Sequence, residues 1–157
     1  MGHINVSRTI DAPVELVFGY VDDHKNTTKY MKDLTKWKPV GTQTHGEGSK
    51  FEVAMKAGPK VLDSAVLITQ WVENKTIGWL SQSGFKQTGR WSFKSVRGSS
   101  TQATFDMEYE FPGGIAGKVL GKAAEPFVRM NIEHSVDALK DQTEKLAAKS
   151  SRAGGRG

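Results

Sequence analysis

The chain has 157 residues, a length that suits one domain with its own core, and a formal net charge of +5. It has no cysteine, which excludes disulfides, thiol catalysis and zinc–thiolate sites. No run of about 18 apolar residues occurs, so no membrane span is expected; the opening MGHINVSRTI shows no secretory signal, and a cytoplasmic location is the expectation.

The elements follow in chain order. The stretch from His3 to Ile10 sets Ile4, Val6, Arg8 and Ile10 against Asn5, Ser7 and Thr9, a strand with period two. In DAPVELVFGYVDD, Asp11 is placed to cap and Pro13 suits a first helical turn. Leu16, Val17, Tyr20 and Val21 recur at helical spacing, so a short helix of about three turns is expected. HKNTTKYMKDL is ambiguous; a second short helix, with Tyr30, Met31 and Leu34 inward, is the reading carried forward. Beyond Lys36, segments such as SKFEVAMK, VLDSAVLITQWV, TIGWLSQ and FKQTGRWSFKSV stand between Gly, Asn, Pro and Ser clusters, and most alternate. TQATFDMEYEF is the clearest. Ala103, Phe105, Met107, Tyr109 and Phe111 point one way, and Gln102, Thr104, Asp106, Glu108 and Glu110 the other. One dry and one wet face suit an antiparallel sheet, of about seven strands including the first.

FPGGIAGKVLGK, residues 111 to 122, carries the glycine–lysine pairs of a phosphate-binding loop. The hydroxyl that would hold magnesium is Val119 in one register and Ala123 in the other, and Pro112 replaces the leading glycine of the first. The stretch reads instead as the end of a strand at Phe111, a turn at Pro112-Gly113-Gly114 and a weakly helical lead-in. A long helix is predicted from Glu125 to Lys149, with Pro126 at its start. Val128, Ile132, Val136, Leu139, Thr143 and Leu146 form one apolar stripe; Phe127, Met130, His134 and Ala138 form a second beside it, so the first half of the helix is expected to be wrapped. Residues 149–157, KSSRAGGRG, read as a disordered basic tail on a domain of residues 1–148.

This order, with TIDAPVELVFGYVDD near the start, the tract from Tyr30-Met31 to Trp37, the Phe111-Pro112-Gly113-Gly114 turn and Asn131 to Leu139 in the last helix, resembles the helix-grip fold of the START-like (SRPBCC) superfamily. Within it the chain is similar to the bacterial polyketide cyclase/dehydrase and lipid-transport family, over roughly residues 3 to 148. The resemblance implies an α+β fold with a curled antiparallel sheet around the long helix and a cavity between them. Members include aromatase/cyclases, lipid or sterol carriers, coenzyme-Q-binding proteins and ribosome-associated proteins. Phe51, Met55, Trp79, Trp91, Phe93, Phe105, Met107 and Tyr109 are the expected inward strand residues, and Met31, Leu34, Phe127 and Met130 would close the ends. The same residues would equally fill a solid core. Methionines and rings make an adaptable lining for an apolar ligand. Gly113, Gly114, Gly117 and Gly121 would then form a gate at the pocket mouth.

Chemistry is less marked. His134 could act as acid or base or orient a ligand hydroxyl, or be structural; Asn131 and Ser135 flank it. Asp63 alternates with Val61 and Ala65, but its neighbours alternate too, so its facing is open. His3, His24, His45 and His134 show no metal-ligand spacing, and neither a metal nor a cofactor is expected. Lys25, Lys29, Lys32, Lys36 and Lys38, with Tyr30 and Trp37 interleaved, give some material for nucleic-acid binding, but a solvated face with two core rings is the preferred reading. The expected partner is a hydrophobic small molecule, and the sequence admits a homodimer. The alternatives are a polyketide aromatase/cyclase or dehydratase, and a ribosome- or RNA-associated regulator.

Overall fold

Strict alternation fixes the sheet. In the computed structural model, which describes residues 2–57, 59–111 and 113–154, the strand Ser100–Glu110 buries Thr101, Ala103, Phe105, Met107 and Tyr109 on one face. Seven strands make the sheet, with the alternation clearest in β1, β6 and β7: β1 (Gly2–Ile10), β2 (Leu34–Pro39), β3 (Lys50–Ala57), β4 (Lys60–Val72), β5 (Thr76–Gly84), β6 (Lys86–Val96) and β7 (Ser100–Glu110). They form one curled sheet, antiparallel throughout, in the order β1-β7-β6-β5-β4-β3-β2. Each strand from β2 to β7 pairs with its neighbours in sequence, while β1 crosses to the far edge and pairs with β7, Val6 opposite Phe105.

Between β1 and β2 lie α1 (Val14–Asp22), a 3-10 turn (His24–Asn26) and the single-turn α2 (Thr27–Tyr30). Pro13 occupies the N-cap of α1, and Val17, Phe18 and Val21 are its buried residues. Asp11 does not cap. Its carboxylate accepts from the Ser100 hydroxyl and its N–H donates to Glu144, so it ties β1 to β7 and to the last helix. The second helix is shorter than the sequence pattern suggests. The Asp23 carboxylate accepts from Lys25 N–H and holds the 3-10 turn, and Leu34 leaves the helix to pair with Met55 at the start of β2.

The last helix, α3 (Gly114–Gly154), is one element with Pro126 inside it, where a start near Glu125 was expected. Gly113 and Gly114 have φ of +111° and +60°, a left-handed region that favours glycine, and so turn the chain straight from β7 into helix. The backbone stays helical to Gly154; residues 155–157 of the expected tail and Pro112 of the turn lie outside the described residues. Ile132, Val136, Leu139 and Thr143, at spacings of three and four, are buried against the sheet, with Val136, Leu139 and Thr143 wholly inaccessible. The second stripe is not wrapped: Phe127 is 65% exposed, Met130 44%, and His134 is also exposed. The helix therefore grips the sheet by one face. Polar contacts hold it along β1: Arg8 Nε donates to Asp137 at 2.8 Å, and Lys140 Nζ to the carbonyl of Thr9 at 2.8 Å. They cover an edge strand that would otherwise offer unpaired backbone.

Candidate functional site

The sheet curls away from the first half of α3 and leaves a cavity of about 660 Å³, within the size range of small-molecule sites. Its inner wall is aromatic. Trp79 on β5, Trp91 on β6 and Phe105 on β7 line it, with the Phe105 ring centroid 4.9 Å from that of Trp91 and 5.6 Å from that of Trp79. The Trp79 indole lies over Gly89, where even a methyl group would overlap it, so β6 needs glycine at that crossing. Met31, Met55, Met107 and Met130 supply flexible, polarisable walls. Phe127 and Met130 line the cavity yet stay exposed, which makes them its mouth.

Few polar groups face inward, and most are occupied. Trp79 Nε1 donates to Gln87 Oε1 and Gln87 Nε2 to Ser64 Oγ, each at 3.4 Å. Ser135 Oγ donates to the carbonyl of Asn131 at 2.8 Å and accepts from Lys32 N–H at 2.9 Å. The Tyr30 hydroxyl is buried beside Thr27, and burial pushes its pKa up. Asp33 is different. It follows α2, its backbone carbonyl accepts from Lys56 N–H, and its half-buried carboxyl lines the cavity. Burial pushes that carboxyl above its ordinary range, while the Asn131 side chain, as hydrogen-bond donor, pulls it partly back.

The structure brings together Met31, Leu34, Met55, Trp79, Trp91, Met107, Phe127, Met130 and Asn131 around this space. It leaves out four other residues expected to bind ligand. Phe51 stacks on Trp37 at 4.8 Å and lines a separate small recess near His24. Phe93 packs behind the wall, against Trp91 and under Phe18 of α1. Tyr109 belongs to an end cluster with Phe85 and Phe111, and its hydroxyl has no partner there among the described residues. His134 is exposed on the outer face of α3, and Asp63 on the outer face of β4, because Leu62, Ser64, Val66 and Ile68 take the inner one. Neither catalytic candidate reaches the cavity. Asp33 and Gln87 were not foreseen. Asp33 sits in a turn without periodicity, and only the fold of α3 above it makes it a wall residue. Gln87 was legible in principle, since it alternates with Gly89 and Trp91 on the inner face of β6.

Of the four histidines, His24 and His45 line the small recess near Phe51, where His45 contacts Asp22, while His3 contacts Asp106 and His134 is exposed on α3. Among the 25–38 lysines, the Tyr30 ring is 1% exposed, and Trp37 stacks on Phe51 while also lining the cavity.

Solved structures share the architecture. The protein TTHA0849 of Thermus thermophilus superposes with a TM-score of 0.79 at 22% identity, covering 94% of this chain and 99% of that one. The Zhui aromatase/cyclase from a Streptomyces species gives 0.74 at 14% identity, covering 92% and 94%. A START superfamily protein from Mycobacterium smegmatis gives 0.68 at 21%, covering 92% and 99%. At these identities the likeness shows the helix-grip fold alone. No curated protein matches the chain. The sequence profile of the family described as polyketide cyclase/dehydrase and lipid transport matches residues 1–144, nearly the whole fold just described. The chain therefore belongs to that family.

Proposed function

We propose that the protein binds a hydrophobic small molecule, of the lipid, isoprenoid or polyketide-like kind, in the cavity between the sheet and α3. One observation carries this reading: a space of about 660 Å³ walled by tryptophans, phenylalanines and four methionines, with its few polar groups mostly bonded within the protein. A solid core would have filled that volume, because protein interiors leave few voids larger than a water molecule. Such a protein would work as a cytoplasmic carrier or reservoir. Native mass spectrometry of protein from its own host, with displacement of a panel of fluorescent lipids, tests it. Absence of both a carried-over mass and a displaceable probe would overturn it.

The first turns of α3 would act as the gate. Gly121 lies against the Phe111 ring, which lines the cavity, and Pro126 removes a backbone donor from the helix where Phe127 begins the mouth. Gly113, Gly114, Gly117 and Gly121 all fall in this part of the chain.

An aromatase/cyclase or dehydratase is the second reading. The family description and one observation favour it, namely a carboxyl group, Asp33, in a mostly apolar cavity with its pKa raised by burial. It predicts turnover of a polyketide thioester that Asp33→Asn abolishes while the fold survives; no turnover by the wild type sinks it.

A further inference from the structure

We infer that Asp33 and Asn131 form the polar anchor of the cavity, and that the ligand is an apolar molecule bearing a neutral hydroxyl group. The inference rests on the cavity-binding reading and names the chemistry of its occupant. Gln87 is linked to Trp79 and Ser64 by two long hydrogen bonds, and Ser135 is engaged by Asn131 and Lys32. Asp33 and Asn131 come together on the cavity wall, one from the turn before β2 and the other from α3, which touch where Lys32 N–H donates to Ser135. Neither side chain is tied to a third residue among the described ones: the Asp33 carboxylate makes no ion pair, and the Asn131 side chain lies near enough to hold its pKa down against burial. A carboxylate has about four acceptor positions, and Asn131 retains a carbonyl oxygen and a second N–H. That leaves an acceptor-rich site with one spare donor, half-removed from water, at the edge of an apolar space.

A hydroxyl is the group that such a site takes best. It donates to the carboxylate and accepts from the spare amide N–H, so the ligand's own polar atom is satisfied in both directions. A ligand carboxylate would face Asp33 as a like charge at close range. An ether or hydrocarbon would cover the carboxylate without bringing a donor to its remaining acceptor positions, the more costly arrangement for a partly buried charge. A ligand ammonium would pair with Asp33, but Lys56 and Lys60 also line the cavity and oppose a second cation.

The test uses the full chain and a neutral, polarity-sensitive fluorescent probe held in the cavity. Dodecanol, its methyl ether and dodecanoate are titrated against the probe. The alcohol should displace it at about tenfold lower concentration than either comparator, the effect of one hydrogen bond to a charged group. Asp33→Leu and Asn131→Leu should each bring the alcohol to the ether's level, and Asp33→Asn, nearly identical in shape, should narrow the gap. Circular dichroism melts of each variant confirm that it is folded. Equal displacement by alcohol and ether in the wild type overturns the anchor and leaves cavity binding intact. Stronger displacement by dodecanoate also overturns it and assigns recognition to the lysines. A probe that never binds removes the cavity-binding reading, and the anchor with it.

Discussion

Asp33 sits where its own charge is unwelcome, and the sign of that effect can be measured. Burial raises its pKa above the ordinary carboxylate range, so the folded state holds a proton more firmly than the unfolded one. Stability from this group is then fully present below the unfolded pKa and is lost as pH rises through the folded pKa. Asp33→Asn should therefore raise the melting temperature at pH 7, with the gain shrinking to nothing as the pH falls into the carboxylate range. Asn131→Leu should do the opposite at pH 7, because it removes the donor that holds Asp33 charged. Melts of both variants at neutral and acid pH check the pair; a gain for Asp33→Asn that persists in acid would mean a cause other than its charge. Gly89 poses a steric question at the same scale. A methyl group there overlaps the Trp79 indole, and neither the strand backbone nor the packed ring can yield freely. Gly89→Ala should cost about 1–3 kcal/mol, the usual range for overpacking. It should also shift tryptophan fluorescence and weaken ligand binding together, since Trp79 is a cavity wall. A full-strength ligand response in that variant would place the ligand elsewhere.

Among the elements, α3 has two unlike halves. Beyond Pro126 it is locked by Ile132, Val136, Leu139 and Thr143 and by its bonds to β1. Before Pro126 it carries Gly117 and Gly121, each costing about 1 kcal/mol of helix propensity against alanine. Pro126 adds to this, because it donates no hydrogen bond and crowds the carbonyl one turn back. Pro126→Ala should strengthen the junction, slow amide exchange over residues 114–125 and lengthen ligand residence in stopped-flow release. Gly121→Ala is less simple. The propensity gain is opposed by a new contact at 3.2 Å from Phe111 Cδ2, which the ring can relieve only by tilting. Unaltered release rates in both variants would remove the gate. The elements themselves were largely legible. Alternation in β7 and the three-four spacing of residues 128 to 143 are local signals of burial that the tertiary structure keeps. What the pattern could not show was how deep a second stripe lies. Phe127, Met130 and His134 share helical spacing with the core stripe, but the sheet curls away from them and leaves them at the mouth or in solvent. The same limit applies to the site. Met107 faces the cavity and Phe93 and Tyr109 face packed neighbours, although all three are inward positions on adjacent strands; only the distance between sheet and helix separates them.

For the whole molecule, cavity and core make different demands on side chains of the same type, and truncation separates them. Leu139 is wholly buried between α3 and the sheet, so Leu139→Ala removes atoms that have partners on every side. It should cost about 2–5 kcal/mol. Phe127 is larger, but it is 65% exposed and faces empty space where it is not exposed. Phe127→Ala should change the stability of the ligand-free protein by less than about 1 kcal/mol, because few protein contacts are lost. The ranking should alter when ligand is added. A ligand that binds only the folded state stabilises it by about 2.7 kcal/mol at a hundred times its dissociation constant. Leu139→Ala should keep that increment if its cavity survives, and Phe127→Ala should lose a large part of it at the same ligand concentration. Chemical denaturation of wild type and both variants, with and without an apolar alcohol, measures all six stabilities in one series. If Phe127→Ala destabilises the ligand-free protein as severely as Leu139→Ala, the space beneath it is packed core rather than a binding cavity, and the proposed function fails with it.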